Sequence, residues 1–323
     1  MVMSSFNEII EYVKDDLIFV KKNIEELSEK ESGYSEEISK RLSYVLSSPG
    51  KQLRPVITLL CSNLFNNYDR NNSLRMATAV ELLHIATLIH DDTVDKADVR
   101  RGKATASNLW GGNIAVLLGD YVFATSAIFV CDTGNILLVK RFAETIVELS
   151  KGELFENIES NNFSLTKEKY FEKTYLKTAS LFKTSSFSGC VIGGGDENNI
   201  KDISEFGYHF GMAYQIQDDI LDITSSKNKE GKPVLNDLSE GVITLPLILY
   251  LESQKYNKDI IKNLSNKEKD NLLNEIIKSN SIKKSKDIVN DHYEKALNSL
   301  LNIPKSNYRK ALETIITISR NRI

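Results

Sequence analysis

Residues 81–95 read ELLHIATLIHDDTVD, an apolar stretch that ends in an aspartate cluster. Its apolar residues recur at helical spacing, which predicts a helix with one buried face. Asp91 and Asp95 are four residues apart, so a helix places their carboxylates one above the other. The cluster therefore stands at the end of an apolar surface, where a purely solvated acidic face is not expected.

A second stretch, residues 206–222, repeats this organisation and ends in DDILD. Either cluster alone would more often be a solvated helix face than a metal site. Carboxylates about 5 Å apart repel by roughly 3 kcal/mol at an effective dielectric near 20, so two clusters around one cleft require cations. Oxygen ligands without a histidine pair favour Mg2+. The candidate magnesium ligands are Asp91, Asp92, Asp95, Asp218, Asp219 and Asp222.

Two histidines beside the first cluster allow a rival interpretation, a histidine–aspartate phosphohydrolase. His84 and His90 are six residues apart, which on a helix is a rotation of about 600°. The two rings then project from different faces and do not chelate one ion easily. His90 can equally be an ordinary helix histidine without a chemical role.

The segment GKQLRP, residues 50–55, is a candidate anion site. It places Lys51 and Arg54 around the start of a helix that Pro55 favours, where free backbone amides attract negative charge. Arginine and lysine side chains suit diphosphate oxygens. A solvated basic turn explains the segment about as well.

A second basic segment, DVRRGK, follows the first aspartate cluster directly and supplies Arg100 and Arg101. The same two interpretations, a phosphate site or a solvated turn, apply to it. Weaker candidates are YLKTASLF (175–182), with Lys177 and Thr178, and KEGKPVLNDL (229–238), with Lys232.

Composition limits the class of protein. Only five prolines occur among the 323 residues, and no sustained period-two alternation is present, which predicts an all-helical chain. With 41 basic and 44 acidic residues the net charge is −3, so no nucleic-acid partner is expected. The three separated cysteines predict buried thiols in a reducing compartment. They are Cys61, Cys131 and Cys190.

Membrane insertion is not expected either. The most apolar stretch, residues 111–130, is interrupted by Asn113 and Asp120, which are costly in a bilayer core. The N-terminal residues are acidic and helically patterned, unlike a signal or transit peptide. The sequence therefore predicts no membrane span and a cytoplasmic location.

These motifs, in this order, resemble the series found in the trans-isoprenyl diphosphate synthases, also called polyprenyl synthetases, of the long-chain type. The resemblance covers roughly residues 50–250. It implies an all-α, single antiparallel helical bundle around a deep central cavity, the isoprenoid synthase fold, in one domain over residues 1–323. The motifs are GKQLRP, ELLHIATLIHDDTVDKADVRRG, LLGDY, KTASLF, YQIQDDILD, GKPVLNDL and GVITLP.

The resemblance also implies a Mg2+-dependent homodimer that condenses isopentenyl diphosphate with farnesyl or geranylgeranyl diphosphate. Metal ligation falls to Asp91, Asp95 and Asp218, with Asp92, Asp219 and Asp222 completing or orienting the shells. Isopentenyl diphosphate would be held by Lys51, Arg54, His84 and Arg101, and the allylic diphosphate by Arg100, Lys177, Gln215 and Lys232. Oxygen dipoles of Thr178 and Gln215 would stabilise the carbocation.

The resemblance also implies that product length depends on the helix face below Asp91. Ala86 and Thr87 lie about one turn from the cluster, and small residues there imply an open tunnel, with Phe123 and Ile128 as candidates for its floor. The alternative is that Ala86 only permits close helix packing. We expect products of about heptaprenyl to nonaprenyl length.

Other interpretations remain. They are a geranylgeranyl or farnesyl diphosphate synthase, a terpene cyclase, and a non-catalytic subunit of a heteromeric synthase. The presence of both aspartate clusters and of GKQLRP disfavours the last two. Two positions depart from the family pattern, since Val242 stands where a lysine is common and Glu156 where glutamine is expected.

Overall fold

The computed structural model describes residues 2–47, 50–65, 67–225, 241–254 and 264–322, and the regular structure of these residues is almost entirely helical. The first eight helices are α1 (Val2–Glu11), α2 (Lys14–Glu31), α3 (Glu36–Leu46), α4 (Leu53–Ser62), α5 (Arg70–Val94), α6 (Ala106–Trp110), α7 (Gly112–Cys131) and α8 (Ile136–Ile158). They are followed by α9 (Lys167–Thr174), α10 (Ser180–Ile192), α11 (Glu197–Ser225), α12 (Leu245–Gln254), α13 (Asn266–Lys278), α14 (Asn280–Ser299) and α15 (Asn307–Arg320).

Two departures from α-helix occur in the part of the chain that the structure describes, and the sequence predicted neither. Strands β1 (Val99–Arg100) and β2 (Lys103–Ala104) pair antiparallel, with Arg100 opposite Lys103. A π-helical turn, Tyr175–Ala179, joins α9 to α10. Such turns are rare and often mark functional sites.

The chain divides into two compact units. The first comprises residues 1–144, 184–204 and 302–312. Its centre is α5, which packs along α7 and against α2 and α4. Fully buried alanines on α5, including Ala77 and Ala79, let the neighbouring helices approach closely. The predicted apolar stripe that leads into the first aspartate cluster is thus confirmed as a core surface.

The second unit comprises residues 145–183, 205–301 and 313–323. Within it α12 packs against α9, α13 and α14. A buried hydrogen bond joins α14 to α11, in which the Tyr293 hydroxyl donates to Gln217 Oε1 over 2.7 Å. Gln217 in turn donates to the Ser319 carbonyl over 2.8 Å. These bonds fix the helix α11 that carries the second aspartate cluster.

Two glycines allow close backbone approach to the π-helical turn. A Cβ atom on Gly152 of α8 would lie 2.7 Å from the Lys177 backbone nitrogen. A Cβ atom on Gly211 of α11 would lie 2.6 Å from the Ala179 Cα. Real Cβ atoms are not found this close to backbone, so the turn is held between two helices at positions that only glycine fits.

Helix α7 exposes much of its apolar surface. Its side chains Val116, Leu117 and Ile128 are 41%, 63% and 58% exposed. Among the described residues it is the one helix whose length and mean hydropathy, 2.0, would suffice to cross a membrane. Cys131, at its end, is exposed as well. The prediction that all three cysteines are buried is therefore wrong for Cys131, because it lies on the outer face of α7.

Candidate active site

The first aspartate cluster occupies the last turn of α5. Asp95 caps the helix, and its backbone amide donates to the Asp91 carbonyl over 2.8 Å. The C-terminal end of a helix carries partial negative charge, which makes carboxylates unfavourable there. Three aspartates at this end therefore favour a bound cation for two reasons, mutual repulsion and the helix dipole.

Within this cluster Asp92 differs from its neighbours. Its side chain is buried, and Arg100 Nε donates to its Oδ1 over 2.6 Å. Arg100 sits on β1, so the hairpin places the guanidinium against the cluster. The pairing fits the expected orienting role of Asp92, and it shows that Arg100 reaches the cluster through this carboxylate.

The two basic segments lie next to each other. A Cβ atom built on Gly50 would be 3.1 Å from Arg101 Nη1, so the GKQLRP loop contacts the turn of the hairpin. Both segments contain a non-glycine residue with left-handed backbone, Gln52 at φ +48° and Arg101 at φ +50°. Such conformations cost about 1–3 kcal/mol and cluster at ligand-binding sites.

The arginines of these two segments affect the protonation of His84. Burial lowers the pKa of His84 well below its ordinary value, and Arg54, Arg101 and Arg100 lower it further. Burial raises the pKa of the neighbouring Glu81, against the opposing effect of Arg54 and Arg101. The structure thus brings Arg54, Arg101 and His84 together, with a neutral imidazole beside two cations, while Lys51 lies exposed on the loop.

The second cluster lies near the end of α11. Asp219 is buried and accepts hydrogen bonds from the Tyr170 hydroxyl at 2.5 Å and from Gln215 Nε2 at 2.8 Å. Burial raises the pKa of Asp219 to about 6, although Lys173 and the two hydrogen bonds oppose the shift. Asp219 is therefore the inward-facing member of its cluster, as Asp92 is of the first.

The other two aspartates of the second cluster face outward. Asp218 is half-buried, and Arg322 Nη2 donates to its Oδ1 over 2.6 Å. The same guanidinium lies 4.9 Å above the Tyr214 ring. Asp222 is exposed. A cation that binds Asp218 would have to replace Arg322 at this oxygen.

The π-helical turn presents the second set of predicted residues. Lys177 contacts Glu153 and Glu156 of α8. The Thr178 hydroxyl donates to Gln215 Oε1 over 2.8 Å. This hydrogen bond orients both side chains and leaves a lone pair on the Gln215 oxygen and the lone pairs of Thr178 as oxygen dipoles that could face a cation.

Comparison with known proteins decides the family. A model described as polyprenyl synthetase matches residues 35–280. A prenyl transferase of Cyanophora paradoxa is 33% identical over 317 residues, which cover 97% of each chain. The chain belongs to the polyprenyl synthetase family. The predictions of the family and of a prenyl-transferring enzyme are confirmed.

Other polyprenyl synthetases agree in fold and length. Component 2 of heptaprenyl diphosphate synthase from Bacillus subtilis is 32% identical and covers 96% of this chain and 89% of its own length. The crystal structure of a decaprenyl diphosphate synthase from Rhodobacter capsulatus has a TM-score of 0.91 at 27% identity, covering 98% of this chain and 99% of that one. The predicted all-α isoprenoid synthase fold is confirmed.

One solved polyprenyl synthetase carries ligands. The polyprenyl synthase from Caulobacter crescentus CB15, complexed with calcium and isoprenyl diphosphate, has a TM-score of 0.88 at 27% identity and covers 98% of both chains. In the described part of the present chain, no three His, Cys, Asp or Glu side chains converge into a metal site by themselves. On each of the two helices, the outward-facing carboxylates are donors that suit a hard cation whose shell is completed by phosphate oxygens.

Several expected residues of this polyprenyl synthetase need separate comment. Lys232 lies outside the described residues. Val242 is described and half-buried. His90 is an ordinary helix histidine, since its Nε2 lies 3.3 Å from the Val116 carbonyl oxygen and its ring fills the space beside Gly119. The histidine–aspartate phosphohydrolase interpretation therefore has no support in the structure.

The candidate chain-length residues divide into two groups. Ala86 is only 1% exposed, which fits the close-packing alternative, whereas Thr87 is half-buried and donates its hydroxyl to the His84 carbonyl over 2.8 Å. Phe123 is half-buried. Ile128 lies on the exposed face of α7, a position that does not support a floor enclosed by this chain. Phe123 therefore remains the floor candidate.

Sequence reasoning missed three contacts of this site. Lys173 lies four residues before Lys177, a spacing that could have suggested a shared face. Tyr170 offers no such signal, because nothing in the local sequence shows that its hydroxyl reaches Asp219. Arg322 is 104 positions from its partner Asp218, a separation that no local pattern bridges.

Proposed function

We propose that this chain is a magnesium-dependent trans-polyprenyl diphosphate synthase. It condenses isopentenyl diphosphate with an allylic diphosphate, farnesyl or geranylgeranyl, to give a product of about heptaprenyl to nonaprenyl length. The observation that carries the proposal is that the GKQLRP loop contacts Arg101, while the adjacent Arg100 pairs with Asp92 of the first aspartate cluster. The names of the Bacillus and Rhodobacter relatives support the long-chain product.

The carboxylate oxygens of the two aspartate clusters are suitable ligands for Mg2+. Asp91, Asp95 and Asp218 would bind the ion, and Asp222 would complete the shell, while the buried Asp92 and Asp219 orient their neighbours through hydrogen bonds. When bound, the metal supplies positive charge that stabilises the departing diphosphate.

The side chains of the protein supply the remaining functions. Arg54, Arg101 and the exposed Lys51 hold the diphosphate of isopentenyl diphosphate through charge-assisted hydrogen bonds. His84, kept neutral by its surroundings, donates to the same group without adding charge. These contacts hold the double bond ready to attack the allylic carbon.

The π-helical turn, with Lys177 and Thr178, acts on the allylic substrate. Lys177 binds the diphosphate, and its positive charge favours cleavage of the allylic carbon–oxygen bond. The Thr178 oxygen faces the resulting carbocation. The double bond of isopentenyl diphosphate attacks this carbon, and the proton lost from the adduct passes to the released diphosphate.

A product assay tests the function directly. Purified protein, farnesyl diphosphate, labelled isopentenyl diphosphate and Mg2+ should yield products longer than geranylgeranyl. If the enzyme stops at geranylgeranyl, the shorter-chain alternative is correct. If the protein is inactive alone but is activated by a second chain, the heteromeric alternative holds; the Bacillus relative, named component 2, makes this outcome worth testing.

Substitutions should separate the two substrates. Arg54→Ala is expected to raise the KM for isopentenyl diphosphate by about tenfold to a hundredfold, because a charge-assisted contact contributes about 1.5–3 kcal/mol. Lys177→Ala should raise the KM for the allylic substrate by a similar factor. Steady-state kinetics with each substrate varied in turn will measure this. Equal changes in both constants for both variants would contradict the assignment.

We further propose that the chain forms a homodimer through the exposed apolar face of α7. The face carries Val116, Leu117 and Ile128 on one helix. In a symmetric dimer the same face of a second copy would cover these apolar side chains and remove them from water. A buried dimer face also accounts for a helix this apolar in a chain that we infer to be cytoplasmic. A single family model matches residues 35–280, a range that includes segments of both compact units, and this favours one domain over residues 1–323.

Charge placed on this face should separate the protomers. Leu117→Asp is expected to convert a dimer to a monomer in sedimentation experiments, because each copy would bury an unpaired carboxylate. Leu301→Asp is a matched control, since Leu301 is 64% exposed and lies outside α7. A monomeric wild type, or a Leu117→Asp variant that remains dimeric, would refute this interface.

A further inference from the structure

Glu156 of α8 bridges two lysines. Its Oε2 lies 2.9 Å from Lys173 Nζ, and its Oε1 accepts a hydrogen bond from Lys177 Nζ. Lys177 also lies 2.9 Å from Glu153 Oε2. The four side chains carry two positive and two negative charges, and three of them are about a fifth to a quarter exposed. The group is therefore neutral and partly desolvated.

This group adjoins the second aspartate cluster. Lys173 Nζ lies 5.8 Å from the centre of the Tyr170 ring, and the Tyr170 hydroxyl donates to Asp219. Burial alone would raise the pKa of Glu156, but Lys173 and Lys177 outweigh it and hold the pKa below its ordinary value. Glu156 is thus an ionised carboxylate beside Lys177, the proposed ligand of the allylic diphosphate.

The geometry limits what Lys177 can offer a substrate. An ammonium group has three N–H donors, and the carboxylates of Glu153 and Glu156 engage two of them. A diphosphate that binds Lys177 must replace one carboxylate or lie beside both and be repelled. Glu156 is the stronger competitor, because it contacts both Lys177 and Lys173, and loss of its charge therefore frees both ammonium groups from this carboxylate.

We propose that Glu156 is a specificity-determining residue that competes with the allylic diphosphate for Lys177 and so keeps the affinity for that substrate low. The proposal rests on the proposed function, since it assumes that Lys177 holds this diphosphate. The same competition assists release, because the carboxylates recover the ammonium group when diphosphate leaves. No bond forms or breaks in this exchange apart from hydrogen bonds.

Glu156→Gln removes the charge while keeping the shape of the side chain. Isothermal titration with farnesyl S-thiolodiphosphate, an unreactive allylic analogue, in the presence of Mg2+ is expected to show about tenfold tighter binding. In the assay, the KM for farnesyl diphosphate and kcat should both fall, because substrate and departing diphosphate are held more firmly. The KM for isopentenyl diphosphate should not change. A purely structural ion pair would instead lower the melting temperature without tightening binding.

Three further variants complete the test. Glu159→Gln, a control whose carboxylate lies 3.5 Å from Lys169, should bind the analogue like the wild type. Glu153→Gln should tighten binding about threefold, and it carries the test if Glu156→Gln does not fold. In the double variant Glu156→Gln/Lys177→Ala, affinity should match that of Lys177→Ala alone.

The outcomes distinguish two failures. Unchanged or weaker analogue binding by Glu156→Gln, while Lys177→Ala weakens binding, overturns the competition alone. Unchanged binding by Lys177→Ala overturns the role of Lys177 in the proposed function, and the inference with it.

Discussion

Replacing Asp91 or Asp218 with alanine should lower turnover by about a thousandfold or more. Each substitution removes a carboxylate proposed to hold the ion that stabilises the leaving diphosphate, and single contacts of this kind contribute factors of about a hundred to a thousand to turnover. Excess chelator should abolish turnover of the wild type. Product formation from labelled isopentenyl diphosphate measures both effects.

Stability should not follow activity in the Asp91 variant, whereas Asp218→Ala also removes the ion pair with Arg322. Asp91 lies at the unfavourable end of the α5 dipole, beside two other carboxylates, so its removal should leave the melting temperature unchanged or raise it. Asp287→Ala, on an exposed position of α14, is the control and should retain full turnover. Activity that persists in excess chelator would refute the metal proposal, as would a wild-type rate for both variants.

The second large effect concerns product length. Ala86→Tyr and Thr87→Tyr each place an aromatic ring about one turn below Asp91, so the product should shorten to about geranylgeranyl or farnesyl length. Because Ala86 is fully packed, its substitution should also destabilise the fold by about 1–3 kcal/mol. Thr87→Tyr, at a half-buried position, should truncate the product at lower cost in stability.

Chromatography of the dephosphorylated products measures this change. Ile18→Tyr, at a 58% exposed position of α2, is the control and should leave the product length as in the wild type. If both Ala86→Tyr and Thr87→Tyr make wild-type products, the chain does not grow along this face of α5.

Local pattern was sufficient for much of the molecule. The stripe that ends at Asp91 predicted α5, and the same periodicity predicted α11 up to Asp218, because i, i+3 and i+4 spacing records which face is buried. Pro55 and the preceding glycine correctly placed the start of α4. The order of the motifs along the sequence was enough to identify the family.

Contacts between distant segments were not predictable in this way. Arg101 has left-handed backbone in the turn of the hairpin, and its side chain contacts Gly50; neither feature can be predicted from the residue types. The π-helical turn depends on α8 and α11, which enclose it. Glu156 stood out in the sequence only as an unexpected carboxylate, and its two lysine partners became visible once α8 and α9 were in place.

The glycines that flank the π-helical turn have a consequence for the kinetics of substrate capture. Gly152 and Gly211 pack against the backbone of the turn on two sides, so this backbone cannot move. Lys177 can therefore reach an arriving diphosphate only by rotation about its own side-chain bonds. Such rotations take picoseconds to nanoseconds, far less than the microseconds to milliseconds of loop closure. We therefore expect the rate at which the allylic diphosphate binds to Lys177 to be set by diffusion of the substrate and not by a rearrangement of this turn.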